Sequence, residues 1–394
     1  MAKTKKSNMD KKNTTPILSI CLPTYNRCSH IKRQIEDMVL QTRAVIEDVE
    51  ILVSDNASID GTPKILCDLR KIHPEIRFFR QSQNIGAEAN FLFLAKEARG
   101  QYYWCIGDDD IIRPGTVKYV VSILKKFPNI GAVILKCGGT YPILFSNFIY
   151  WKKAKFDIDN RCLIQYSPKI LQIYPNCEGD TDWMFISKCI IQREAYIKIA
   201  DSEEFRNNCA LGMFATCISI QNKNFYYANM CGYITGWLST DTWHNKAAKV
   251  CHDIISGINM LKKYGFTSRE IKYLFASEEP HLYYVNTLGC MEHEMSVEES
   301  LESNMNLQRQ LKVPVSKDRI LNKLLMKDPE KIVFLYKEVI KTAYKKAPIS
   351  SYFDKKKELK RYNYLPTRGR ELKLMIKYII IIGLTHRLRT LLKK

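Results

Sequence analysis

The chain has 394 residues, 46% of them hydrophobic, and its 61 Lys and Arg outnumber 41 Asp and Glu for a formal net charge of +20. That length suits two domains or one with a large extension, and no run approaches the roughly 20 apolar residues a spanning helix needs. Thirteen cysteines, odd in number and without a C-x-x-C, fit neither a disulfide framework nor a zinc pattern, so buried, reduced thiols in a cytosolic setting are expected.

Residues 1–15 are polar and lysine-rich and read as a disordered basic tail. From residue 17 to residue 127 strand and helix signals alternate. Residues 17–22 form an apolar run stopped by Pro23, expected as a buried strand. Ser29 is placed to cap a helix whose Ile31, Ile35, Met38 and Val39 share one face. A second strand covers residues 49–53. Thr62-Pro63 starts a helix with a capping hydroxyl and a first-turn proline, and Ile65, Leu66, Leu69 and Ile72 follow at helical spacing. Residues 76–79 make a third strand. Asn84-Ile85-Gly86 opens a helix that buries Phe91, Leu92 and Ala95 and stops at Gly100. The fourth strand, residues 102–106, leads into Gly107-Asp108-Asp109-Asp110. Pro114 precedes a helix carrying Val117, Val120, Val121 and Leu124.

Strand–helix–strand repeats with short links predict an α/β fold with a largely parallel sheet covered on both faces. Ligands gather at the carboxyl ends of such strands. Three polar clusters fall there: residues 23–27, residues 55–58 and the aspartate triplet. Adjacent carboxylates at about 6 Å and an effective dielectric near 20 repel by roughly 3 kcal/mol per pair. A cation is the natural remedy, and a hard divalent ion favours carboxylates plus substrate phosphates. Asp55 suits a base or a ribose, while Tyr25 and Arg27 suit a base or its phosphates.

Four stretches, ILSICLPTYNR (residues 17–27), VEILVSDNASIDGT (49–62), QNIG (83–86) and GDDDIIRP (107–114), together resemble family 2 of the glycosyltransferases. The resemblance implies a GT-A (Rossmann-like) domain over residues 16–244, with a mixed, mainly parallel sheet. It also implies transfer of a sugar from a nucleotide-sugar donor, a UDP-sugar by default, to a glycan or lipid-linked hydroxyl. By that likeness Pro23, Tyr25, Arg27, Asp55, Asn84 and Asp108 line the nucleotide-sugar pocket. Asp109 and Asp110 hold Mn2+ or Mg2+, and His244, in a closing loop, completes the metal shell. The family pattern often has an aspartate where this chain has Gly107. Many inverting members carry a Glu-Asp pair as acceptor base; between residues 174 and 222 none exists, and Asp180 and Asp182 are the candidates there. Glu203 and Glu204 read as an exposed charged loop.

Beyond residue 244 the motifs give way to helical periodicity. Val250, Ile254, Ile255 and Ile258 form one stripe; others follow at Ile320–Leu325 and Ile332–Val339, so residues 245–364 are expected to be an α-helical extension. The last 64 residues hold 18 Lys and Arg against 4 Asp and Glu, leaving the rest of the chain at only +6. Residues 378–384 are an apolar run only about 10 Å long as a helix, bracketed by basic residues. Residues 365–394 therefore read as a basic amphipathic helix docking on an anionic membrane surface. The expected location is cytoplasmic, peripheral at the inner face of the cell membrane. A nucleic-acid-binding protein is the alternative from charge, disfavoured by the acidic cleft; a metal-dependent nucleotidyltransferase is the alternative from the aspartates.

Overall fold

In the computed structural model, which describes residues 15–139, 158–173, 186–235 and 247–275, the strands among the described residues form one mixed sheet. Strand β1 (Leu18–Thr24), buried along its whole length, lies between β2 (Val49–Asp55) and β4 (Tyr102–Cys105), parallel to both. Strand β3 (Arg77–Arg80) adds a further parallel member beside β2. On the far side of β4 the sheet turns antiparallel through β8 (Cys189–Gln192), which also pairs with β6 (Ala132–Gly139). Strand β9 (Phe225–Thr235) runs parallel to β6, and the two-residue strands β5 (Ile111–Ile112) and β7 (Leu163–Ile164) oppose it. The order is β3-β2-β1-β4-β8-β6-β9-β5, with β7 pairing off the path onto β9. Six strands therefore point one way, and β5, β7 and β8 the other.

Pro23 does not stop β1, which continues to Thr24. Cys21 and Pro23 face the same neighbour, and the last ladder bond from that side is Ile106 N–H to the Cys21 carbonyl. The β1–β4 register ends at Cys21–Cys105, so Pro23 lies past it and removes no paired N–H.

The aromatic run in β4 divides between the two faces by simple alternation. Tyr102 and Trp104 join Leu18, Ile20 and Leu22 under helices α1 (Ile31–Thr42), α2 (Thr62–Ile72) and α4 (Thr116–Lys126). Tyr103 and Cys105 join the opposite core, under α3 (Ala87–Glu97) and the helices Arg193–Ala200, Leu211–Ile220 and Ala247–Met260. Helix α1 buries the four residues expected of it, with Gln34 and Thr42. Val117, Val120, Val121 and Leu124 are all buried on α4.

Several helix ends differ from expectation. Ser29 does not cap α1: His30 holds that position without a side-chain cap bond, and the Ser29 hydroxyl lies 3.2 Å from His30 Nε2. Gly61 caps α2, because the Thr62 hydroxyl is engaged by the Arg27 N–H at 2.9 Å. Ile72, at the end of α2, is 64% exposed. Helix α3 ends at Glu97 with Ala98 as its cap; Gly100 instead lets two backbones touch, since a Cβ there would lie 2.6 Å from Ser19 N. Glu203 and Glu204 begin a short helix, Glu203–Arg206. A 3-10 turn, Ile186–Lys188, leads directly into β8.

Cys21, Cys105, Cys189, Cys217 and Cys251 are buried, whereas Cys28 and Cys67 are exposed. Burial pushes the Cys105 thiol up to about 12 and that of Cys189 up to about 11. Val250, Ile254, Ile255 and Ile258 pack into the same core as the sheet. No helix among the described residues is long and apolar enough to cross a membrane. The later helical stripes and the basic segment 365–394 lie outside the described residues.

At Gly257 a Cβ would come within 2.1 Å of the buried Phe214 ring. Gly257→Ala should therefore cost about 1–3 kcal/mol by overpacking, read as a lower midpoint in urea at unchanged slope.

Candidate functional site

Because β1, β2 and β4 are parallel neighbours, their carboxyl ends fall side by side. Thr24 stands opposite Asp55 in the ladder, and the turn at residues 107–110 follows directly from β4. The loops after β1 and β2 are knitted together by side chains. Asn26 (φ 55°) donates its N–H to Ser58 Oγ at 2.9 Å, and its Oδ1 accepts from Ile59 N at 2.9 Å. Cys28 N–H donates to Asp60 Oδ2 at 3.1 Å, and Thr62 N–H to Asp60 Oδ1 at 2.9 Å. Burial acts to raise the Asp60 pKa, but these bonds from Thr62 and Cys28 prevail and hold it at about 2. A left-handed non-glycine residue such as Asn26 is tolerated where surrounding bonds over-determine it, as they do here.

Asp55 lies at the centre of this knot, only 1% exposed. Its Oδ1 accepts the Ser58 N–H at 2.9 Å, whereas Oδ2 is buried with no hydrogen-bond partner. Thr24 Oγ1, on the neighbouring strand, is likewise buried and unpartnered. Leaving a buried polar atom unmet costs about 1–3 kcal/mol, and two together at a strand end mark a place for a ligand. The guanidinium of Arg80 stands 3.7 Å from Asp55 Oδ2 and donates to the Ser58 carbonyl at 3.1 Å. Asn84 is exposed, its Oδ1 accepting from Asn56 Nδ2 and Gly86 N, both at 2.9 Å. Pro23 lies within β1, and Tyr25 is exposed at the rim.

The aspartate triplet divides. Asp108 accepts from Arg27 Nε at 3.0 Å, its side chain 12% exposed. Burial, and then the charge of Asp108, push the Asp109 carboxyl above the usual carboxylate range, with Arg27 and His30 opposing. Asp110 turns inward, where the Ser187 hydroxyl donates to its Oδ2. The fold explains the glycine before it, for a Cβ at Gly107 would lie 2.8 Å from Asp110 Oδ2.

Pro23, Tyr25, Arg27, Asp55, Asn84, Asp108 and Asp109 thus share one end of the sheet, with Asp110 beneath. Asp180, Asp182 and His244 lie outside the described residues. Arg80, Gln34 and Ser187 are the participants that sequence reasoning missed. Only Arg80 carried a signal, a cation just past a predicted strand. Among the described residues no three His, Cys, Asp or Glu side chains converge as a metal cage. The donor set still fits Mn2+ or Mg2+, which is commonly held by one or two carboxylates and completed by substrate phosphates.

Residues 19–197 match the sequence profile of glycosyl transferase family 2. The abequosyltransferase RfbV of Salmonella typhimurium is 34% identical over 122 residues, 31% of this chain and 35% of that protein. The chondroitin synthase of Escherichia coli is 32% identical over 112 residues, 28% of this chain and 16% of that protein. The chain thus spans about a third or less of the length of these two relatives. Among solved structures, the mannosyltransferase PcManGT from Pyrobaculum calidifontis, in complex with GDP-Man and Mn2+, aligns with a TM-score of 0.50 at 14% identity. It covers 87% of this chain and 89% of that one. At that identity the likeness speaks for the fold alone, and the fold is GT-A.

Proposed function

We propose that this chain, whose residues 19–197 form a glycosyl transferase family 2 domain, moves a sugar from a nucleoside diphosphate-sugar to a hydroxyl of a glycan or lipid-linked acceptor. The observation that carries the reading is the pairing of the unmet Asp55 Oδ2 with the Asp108–Asp109 tip at the same sheet end. Asp55 accepts an N–H from the base while Arg80 offers a donor beside it. That donor–acceptor order suits uracil, which presents one N–H between two carbonyls. Tyr25 covers the base, Arg27 reaches the phosphates, and Asp108 takes the ribose and sugar side. Asp109 would hold the cation, with His244 completing its shell. A bound Mn2+ or Mg2+ would supply Lewis-acid stabilisation of the departing diphosphate. Asp180 or Asp182 takes the proton from the acceptor hydroxyl. The basic residues 365–394 dock on an anionic membrane at its cytoplasmic face, which brings a lipid-linked acceptor within reach. Relatives named as an abequosyltransferase and a chondroitin synthase support a role in building cell-surface polysaccharide.

Thermal stabilisation across a panel of nucleoside diphosphates, with and without Mn2+, tests the reading. A UDP concentration one hundred times its Kd should stabilise by about 2.7 kcal/mol, and only with the metal present. A flat response across the panel would overturn the assignment. Release of pyrophosphate from a triphosphate, without sugar transfer, would favour a nucleotidyltransferase.

A further inference from the structure

The Gly107–Asp110 turn is held from two sides by residues remote in sequence. Strand β8 is antiparallel to β4, with Trp104 opposite Ile190, so the 3-10 turn before β8 passes alongside the end of β4. There the fully buried Ser187 accepts the Gly107 N–H at 2.8 Å and donates to Asp110 Oδ2. The Ser187 carbonyl accepts from Trp104 Nε1 at 3.0 Å, which fixes the serine to the strand it serves. From the opposite side the buried Gln34 amide of α1 donates to the Gly107 carbonyl at 3.4 Å and to that of Asp110. Gln41, two helical turns on, donates to the Ile112 carbonyl at 3.0 Å. The turn closes on itself through Asp110 N–H to the Gly107 carbonyl at 3.0 Å. Both ends of the turn are thereby tied down, and its two middle residues, Asp108 and Asp109, form the corner.

We propose that Ser187 and Gln34 are positioning residues that set the Asp108–Asp109 corner for the donor, and that Asp110 is the inner member of this strut and not a cation ligand. The proposal rests on the nucleotide-sugar reading given above. Its chemistry is that of a second layer of hydrogen bonds orienting the groups that touch the ligand, whose loss typically weakens binding by about 10- to 100-fold. The Ser187 hydroxyl has a single proton and gives it to Asp110, while its lone pair receives Gly107. Removing either Ser187 or Asp110 breaks the same link, so the two losses should not add.

The test uses the full chain, with Mn2+ and UDP as probes and bound Mn2+ counted by electron paramagnetic resonance. Ser187→Ala should weaken Mn2+–UDP binding about tenfold. In the ligand-free chain the same variant should speed hydrogen exchange across residues 105–112. Ser187→Thr, which keeps the hydroxyl, should restore both, and Asp110→Ala, which removes the acceptor, should match Ser187→Ala with no further loss in the double variant. If Asp110→Ala abolishes Mn2+ binding while Ser187→Ala leaves it intact, Asp110 is a ligand and the strut is wrong. A lower melting temperature in Ser187→Ala with unchanged affinity reduces the serine to a structural role and also overturns the proposal. Should Ser187→Ala fail to fold, Asp110→Ala and Ser187→Thr decide alone. A wild-type chain that binds no nucleotide strikes the donor reading, whereas wild-type binding with Ser187→Ala at full affinity strikes only the strut.

Discussion

Asp109→Asn should lose the Mn2+-dependent part of nucleotide stabilisation while the fold stands unharmed. The carboxyl of Asp109 is pushed upward by burial and by the neighbouring Asp108, so its ionised form is disfavoured by the folded chain. A carboxylate whose folded pKa is raised subtracts stability above that pKa. The neutral, nearly isosteric amide should therefore leave the melting temperature of the metal-free chain equal or higher at pH 7. With Mn2+ and UDP present the order should reverse, since wild type gains and the variant does not. Lewis-acid help to a leaving diphosphate is worth several kcal/mol, and each 1.36 kcal/mol is tenfold in rate. A drop in kcat of roughly 100- to 1,000-fold is expected. A variant with undiminished metal response would remove Asp109 from the site. This opposition between apo stability and function is the usual mark of like charges kept together for a ligand.

How far the sequence could be read depends on how local the determining physics is. The apolar faces of α1 and α4 and the buried strands β1, β2 and β4 follow from periodicity, and the structure buries the residues that carry it. The clustering of Asp55 with the aspartate turn followed from one topological rule about parallel strands. What failed was arbitration by a single hydrogen bond: whether Thr62 caps its own helix or receives Arg27, and whether Gly100 ends a helix or admits Ser19. Such choices are made by partners 35 to 81 positions away, which no local window contains. The strands β5, β6, β7 and β9 escaped for a related reason. Their pairing, with β9 bonded to β5, β6 and β7, is decided by non-local contacts. Ser187 illustrates the limit best. As a lone serine in an apolar stretch it carries no signal; its importance comes from lying, through antiparallel β8, against the end of a strand more than 80 residues earlier.

Asp55→Asn should alter which base the chain accepts as well as how tightly. In wild type Oδ1 is committed to the Ser58 N–H, and Oδ2 is the buried acceptor left over. Asparagine retains a carbonyl for Ser58 and turns the other position from acceptor into donor. A uracil N–H would then meet an N–H, and the Arg80 guanidinium would face another donor where it now faces a carboxylate oxygen 3.7 Å away. A hydrogen bond to a charged group is worth about 1.5–3 kcal/mol, so UDP affinity should fall roughly 10- to 150-fold. Cytosine carries an acceptor nitrogen where uracil carries its N–H, and CDP should lose far less or gain. The ratio of UDP to CDP affinity, measured by calorimetry on both proteins, therefore isolates the base contact from any general loosening of the loop. General loosening would weaken both nucleotides alike. An unchanged ratio would mean that the orphaned oxygen of Asp55 does not meet the base, and the assignment of this strand end as the base pocket would fall with it.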